Sequence, residues 1–133
     1  RPMDKNSKVA VTVAITTLFD RWGLTASEKI AILGFASDAD LDCYINSPST
    51  LNLSPALEQR LSLILNIHEE LRLTFSNPMN VYGFMTMINN NSPFLGKKPI
   101  EMVSQNLDAL NAVYQVISLI GNSREVNQEL SNL

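Results

Sequence analysis

A long helix is predicted by residues 54–75, which read SPALEQRLSLILNIHEELRLTF. Ser54 and Pro55 form a strong helix start, because a serine side chain caps free backbone N–H groups and proline fits the first helical turn. Apolar residues then recur at helical spacing in two stripes. The main stripe contains Leu57, Leu61, Ile64, Leu65, His68 and Leu71, and the second contains Leu63, Ile67 and Thr74. Such a helix is expected to lie at the centre of the fold or to contact a second protein.

Upstream of this helix, two shorter helices are predicted by the residues at their ends. The first spans about residues 7–22 and ends at Gly23, although its β-branched residues also permit a strand. The second begins at a capping box formed by Thr25 and Glu28. It ends at Gly34, because glycine readily takes the left-handed conformation that closes a helix.

The fold class that follows is all-α: a compact bundle of about six or seven helices with a degenerate helix-turn-helix-like N-terminal half. Further helices are predicted over residues 38–47, 78–88, 99–105 and 107–121, each bounded by capping residues, proline or glycine. No two-residue alternation indicates a sheet. We expect one compact unit with a helix-turn-helix-like region over 3–50, a second helical region over 51–121 and a flexible polar tail over 122–133.

Composition excludes several classes of function. The 133 residues include ten Lys or Arg and 13 Asp or Glu, which give a net charge of -3 and no overall positive field for nucleic acid. One cysteine and one histidine are too few for an internal disulfide or a structural zinc site. Neither a signal peptide nor a membrane span is recognisable, so a reducing, cytoplasmic location without membrane contact is expected.

Catalytic chemistry is disfavoured by the available side chains. His68 lies on or beside an apolar stripe, and Cys43 has no basic neighbour in sequence to activate it. The acidic run 38–42 resembles the opening of a calcium loop, but Cys43 stands where such a loop requires glycine. The glycines never cluster into a phosphate-binding motif. We therefore expect a protein that is not an enzyme and that uses no catalytic residue, cofactor or metal.

The N-terminal half has the outline of a DNA-binding helix-turn-helix over Thr25–Asn46. Its second helix carries Asp38, Asp40 and Asp42 and no basic residue, so it would repel phosphates. A DNA-binding autorepressor therefore stays an alternative that needs a surface built from dispersed cations. Candidates for that surface are Lys5, Lys8, Arg21 and Lys29. A stand-alone dimeric interaction or scaffold protein is the other alternative.

The most specific motif is residues 91–103, which read NSPFLGKKPIEMV. It resembles the C-terminal toxin-binding domain of the Xre/MbcA/ParS antitoxin family. The matching positions are Asn91, Phe94, Gly96, Pro99 and Ile100. Three upstream segments, LFDRWGLTASE at 18–28, LGF at 33–35 and LRLTF at 71–75, also resemble family motifs in order and spacing. The resemblance spans about residues 14–121.

This resemblance implies an antitoxin of a type II toxin–antitoxin pair that binds and occludes an NAD-consuming RES-domain toxin. The toxin-binding region would be residues 51–121, and any chemistry would belong to the toxin. Family members commonly form homodimers, and the second stripe of Leu63, Ile67 and Thr74 is the candidate dimer surface.

Partner contacts are expected around the loop that carries the motif. The candidates are Asn90, Asn91, Phe94, Leu95, Gly96, Lys97, Lys98 and Pro99. Three of them also have a structural interpretation: Phe94 can fill the core, Gly96 can take a left-handed conformation and Pro99 can begin a helix. The adjacent lysines suit an acidic rim on the partner.

Overall fold

The fold is all-α, as predicted, over the part of the chain that the structure describes. The structure is a computed structural model that describes the backbone of residues 4–50 and 52–131 and the side chains of that part up to Gly121. Seven α-helices and one 3-10 turn occupy this part, and their bounds follow in chain order. They are α1 (Lys5–Trp22), α2 (Ala26–Leu33), α3 (Asp38–Asn46), α4 (Pro55–Thr74), α5 (Pro78–Gly83), the 3-10 turn (Phe84–Thr86), α6 (Pro99–Val103) and α7 (Leu107–Ser131).

The predicted capping residues lie at the ends of the N-terminal helices. The hydroxyl of Thr25 accepts from the Glu28 N–H at 3.2 Å, and Glu28 Oε1 accepts from the Thr25 N–H at 2.8 Å. Gly23 and Gly34 both have φ 72°, the left-handed conformation expected at a helix end. Ser54 Oγ accepts from the Leu57 N–H at 3.1 Å and starts α4. These bonds span at most three residues, so the local sequence specifies them.

Helix α4 lies at the centre of the core, and α7 is its most extensive neighbour. Leu61, Ile64 and Leu71 of the main stripe are at most 2% exposed. Helix α7 approaches α4 closely at Gly121, where an added Cβ would lie 2.7 Å from the Thr74 hydroxyl oxygen. Helix α7 continues to Ser131, so Gly121 is an interior residue of the helix rather than its predicted end, and its missing side chain permits the close approach to α4.

The predicted dimer surface is wrong, because its residues are buried within a single chain. Leu63 is 8% exposed, Ile67 is 0% exposed and Thr74 is 7% exposed. They lie on the face of α4 that meets α7, so the second apolar stripe is explained by packing inside the protomer.

The C-terminal helices differ from the prediction in length. The helix that begins at Pro78 ends at Gly83 and gives way to a 3-10 turn, in which Met85 is fully buried. The backbone of residues 122–131 continues α7, whereas this segment was predicted to be part of a flexible tail. The side chains of that segment and residues 132–133 lie outside the described part. None of the described helices has both the length and the apolarity to cross a bilayer.

Candidate partner-binding surface

The segment between the 3-10 turn and α6 is a loop held in one conformation by its own backbone. We call residues 89–98 the motif loop. The Asn89 N–H donates to the Lys97 carbonyl at 3.0 Å, and the Gly96 N–H donates back to the Asn89 carbonyl at 2.8 Å. Between the residues joined by these two hydrogen bonds, the Phe94 N–H donates to the Asn91 carbonyl at 2.8 Å. The Asn89 side chain also accepts from the Asn91 N–H at 2.9 Å. Backbone hydrogen bonds therefore connect the two ends of the loop and also cross its middle.

Two of the predicted contact residues, Phe94 and Pro99, attach the motif loop to the core. Phe94 is 3% exposed, and its ring packs edge-on against Phe84 with the centroids 6.0 Å apart. Pro99 is buried at the first position of α6. Both side chains are therefore unavailable to a partner. Their role is to position the loop, so their assignment as partner-contacting side chains is corrected.

Leu95 has the opposite environment. Its side chain is 74% exposed, and its φ of 50° makes it the one non-glycine residue with a positive φ in the described part of the chain. A leucine in the left-handed region costs roughly 1–2 kcal/mol relative to a right-handed conformation. Gly96 follows with φ 91°, which glycine adopts without that cost. The exposed leucine thus carries a conformational cost without burying its side chain.

Two further exposed apolar side chains immediately precede the motif loop in the sequence. Met87 is 48% exposed and Ile88 is 65% exposed, and they immediately precede Asn89, which pairs with Lys97. We call the set of Met87, Ile88, Leu95, Lys97 and Lys98 the partner surface. Sequence reasoning missed Met87 and Ile88, because both were assigned to the end of a helix. Two adjacent apolar residues before a polar run were the available indication.

The charges of the partner surface are positive. Lys97 and Lys98 are both exposed, and neither takes part in an ion pair among the described residues. The Lys98 backbone N–H, in contrast, donates to Glu101 Oε2 at 2.7 Å, which fixes the start of α6. Asn90 and Asn91 are also exposed beside them. The predicted contact residues other than Phe94 and Pro99 therefore lie together on an accessible surface.

The helix-turn-helix outline is present, but its second helix is acidic on the outside. Asp38, Asp40 and Asp42 of α3 are all exposed. Asp40 Oδ2 accepts from the Ala36 N–H at 3.1 Å, so this carboxylate stabilises the turn before α3. The dispersed cations are partly engaged elsewhere, since Lys29 pairs with a neighbouring carboxylate, that of Asp20, at 3.6 Å. This arrangement does not favour phosphate contacts by α3.

The side chains considered for metal binding or catalysis are dispersed over the described part of the chain. Among them, no group of three or more His, Cys, Asp or Glu side chains lies close enough to hold a metal ion. Cys43 is exposed on α3. His68 lies on α4, where its ring stacks on Tyr82 with the centroids 5.5 Å apart.

Comparisons with known proteins do not identify a family for this chain. No family model matches the chain, and no curated protein or solved structure is significantly similar to it. The partner surface and the motif resemblance are therefore the features that bear on function.

Proposed function

We propose that this protein is an antitoxin that binds a RES-domain toxin and occludes the site where that toxin consumes NAD. One observation carries the proposal: Leu95 is 74% exposed at φ 50° in a loop whose neighbours are held by hydrogen bonds and by the buried Phe94. Strained residues that the surrounding structure maintains are found preferentially at functional sites. The motif resemblance supplies the class of partner.

The geometry suits insertion of Leu95 into an apolar pocket. Because the motif loop is already ordered, binding does not carry the entropy cost of fixing a flexible segment. Met87 and Ile88, which are exposed immediately before Asn89, add apolar area at the start of the motif loop, and methionine adapts readily to an irregular partner surface. A central apolar contact with a surrounding polar rim is the usual arrangement of a specific interface.

Lys97 and Lys98 define the charge of the partner. Both are exposed beside the apolar group, so they match carboxylates around the entrance of the partner's pocket. Such rim charges raise the association rate more than they raise the affinity, and salt weakens their effect. The protein itself performs no chemistry in this proposal and acts where the toxin meets NAD, in the cytoplasm. If it forms a homodimer, it does so through a surface other than the buried stripe of Leu63, Ile67 and Thr74.

The first test is co-expression with a RES-domain toxin encoded next to this protein's gene. We expect the wild-type chain to restore growth and to co-purify with the toxin. Leu95→Asp should abolish rescue and weaken binding at least ~30-fold, because it places a charge in an apolar contact. Leu119→Asp is the matched control, since Leu119 is 64% exposed on α7 and should leave rescue unchanged.

The outcomes separate the proposal from its alternatives. If growth stops equally fast with and without this chain, the antitoxin proposal is refuted. Co-purification without rescue would favour the scaffold alternative. Duplex binding that weakens steeply with salt and is lost in a Lys5→Gln/Lys8→Gln variant would favour the repressor.

A further inference from the structure

A groove on another part of the molecule lies between α1, α4 and α5. It has a volume of about 340 Å³. Leu18 and Leu65 form part of its apolar lining, and Arg21, His68 and Tyr82 are among its polar residues. The groove contains no residue of the motif loop, so the proposed toxin contact does not account for it.

Tyr82 brings a guanidinium and an imidazole to the same groove. The Arg21 guanidinium carbon lies 5.2 Å from the centroid of the Tyr82 ring, an arrangement typical of a cation–π contact. The His68 ring stacks on the same tyrosine with an interplanar angle of 29°. No carboxylate of the described residues forms an ion pair with Arg21. Its donors therefore stay available to an external acceptor.

His68 has only one ring nitrogen available to a ligand. Its Nδ1 is buried and has no hydrogen-bond partner among the described residues. Since His68 nevertheless lines the groove, Nε2 is the nitrogen that can donate to a bound molecule. One histidine donor and the planar guanidinium fork of Arg21 form a donor set that suits an oxyanion.

The charged side chains around the groove have an excess of positive charge. Arg21 comes from α1; His68, Glu69 and Arg72 come from α4; and Tyr82 comes from α5. Glu69 and Arg72 pair with each other at 3.5 Å, which leaves Arg21 as the uncompensated charge. Burial lowers the pKa of His68, and Arg72 and Arg21 lower it further, whereas Glu69 opposes them. The imidazole is therefore neutral at pH 7, and an anion in the groove would favour its protonation.

We propose that this groove binds an organic oxyanion, a carboxylate or a phosphate ester, whose apolar body contacts Leu18 and Leu65. Arg21 and His68 Nε2 donate to the oxyanion, and the two leucines contact the apolar body. The site is distinct from the partner surface, so its occupancy can be tested without any toxin.

His68 permits a direct test because it is the only histidine in the sequence. Its Cε1–H resonance is followed by NMR in the full chain while benzoate, phenyl phosphate, acetate or chloride is added at matched ionic strength. We expect a saturable shift with benzoate or phenyl phosphate, a rise of at least ~0.5 in the pKa of His68, and tighter binding at lower pH. The comparison of the two organic anions identifies which oxyanion the site prefers. Acetate should bind about tenfold more weakly than benzoate, because it lacks the apolar body.

Two variants complete the experiment. Arg21→Gln should reduce binding at least ~10-fold while retaining the helical circular dichroism of the wild type, because Arg21 is exposed. Lys5→Gln removes an exposed cation at the opposite end of α1 from Arg21 and should leave binding unchanged. Equal shifts with chloride, or equal binding by Arg21→Gln, would overturn the site. Equal affinity for acetate and benzoate would overturn the apolar contact.

Discussion

The turn between α2 and α3 and the motif loop both contain a left-handed glycine, but they use it differently. Gly34 has φ 72° and ends α2, and Arg60 covers it while Arg60 Nη1 donates to the Ile32 carbonyl at 3.0 Å. Gly96 has φ 91° and follows Leu95, whose own φ of 50° is strained and whose side chain is 74% exposed. The first turn stabilises the helices around it. The second carries a cost that packing within the chain does not offset, which is the reason to assign function to it.

The two regions also differ in charge. The α2–α3 region presents Asp38, Asp40 and Asp42, and the motif loop presents Lys97 and Lys98. An acidic exposed helix is unsuited to nucleic acid, whereas a pair of lysines beside exposed apolar residues suits an acidic protein surface. Both shape and charge therefore direct the functional hypothesis to the motif loop.

The largest expected effect is a difference in stability between variants of two neighbouring residues of the motif loop, Phe94 and Leu95. Phe94→Ala should lower the free energy of unfolding by about 3–5 kcal/mol, because it removes a buried ring that packs on Phe84. Leu95→Ala should change it by less than about 0.5 kcal/mol, because the side chain is exposed. Chemical denaturation measures both. Similar losses for the two variants would show that Leu95 is a structural residue.

The next largest effect is the loss of stability when alanine replaces the left-handed glycine of each turn. Gly34→Ala should cost about 2 kcal/mol, since alanine is strained at positive φ and its Cβ would lie 2.7 Å from Arg60 Nε. Gly96→Ala should cost about 1 kcal/mol, because it meets strain but no atom closer than 3.7 Å. Thermal and urea unfolding provide the measurement. Gly83→Ala is a control without positive φ and should be close to neutral. An equal cost at Gly34 and Gly96 would contradict the role assigned to Arg60.

A smaller effect tests whether the strain at Leu95 serves binding. Leu95→Gly relieves the left-handed conformation but enlarges the entropy of the unfolded chain, so stability should rise by no more than about 1 kcal/mol or stay unchanged. Affinity for the proposed toxin partner should fall in the same variant, because the apolar side chain is lost. Calorimetric titration and denaturation give the two readouts. Unchanged affinity would remove the functional explanation of the strain.

The smallest effect concerns pH and lies outside both regions. The pKa of His68 is lowered in the folded protein, chiefly by burial, from its ordinary value of 6.5. The unfolded chain therefore binds more protons below that value, and stability should decrease slightly as the pH falls through 6.5 toward the lower folded pKa. Urea midpoints across this window measure the effect. His68→Gln should flatten the profile, and an unchanged slope would assign the pH dependence to other groups.

Much of the fold is predictable because its determinants are local. The Thr25–Glu28 capping box and the Ser54–Pro55 start operate within three residues, so neighbouring side chains and backbone specify them. The dimer surface could not be predicted in the same way. An apolar stripe on α4 indicates that something covers it, but its periodicity does not distinguish α7 of the same chain from a second copy.

The candidate site also has features that the sequence predicted and features that depend on tertiary packing. Sequence pattern selected the motif loop and the lysines, and it assigned correct structural roles to Phe94, Gly96 and Pro99. It did not reveal the left-handed φ and the exposure of Leu95 or the exposure of Met87 and Ile88. Those features depend on the Asn89–Lys97 pairing and on the burial of Phe94 against Phe84, which form only when the loop is placed on the core.

The amino-acid sequence by itself determined that the chain is helical, where its capped helices begin, and that α3 is acidic and the motif loop basic, because these follow from local hydrogen bonding and side-chain type. The tertiary structure alone decided that α7 covers the second face of α4, that Gly121 is an interior contact residue, and that Arg21 meets His68 and Tyr82 in one groove. The reason is physical: each of these features joins residues far apart in the chain, and only packing of the whole core fixes which distant surfaces meet.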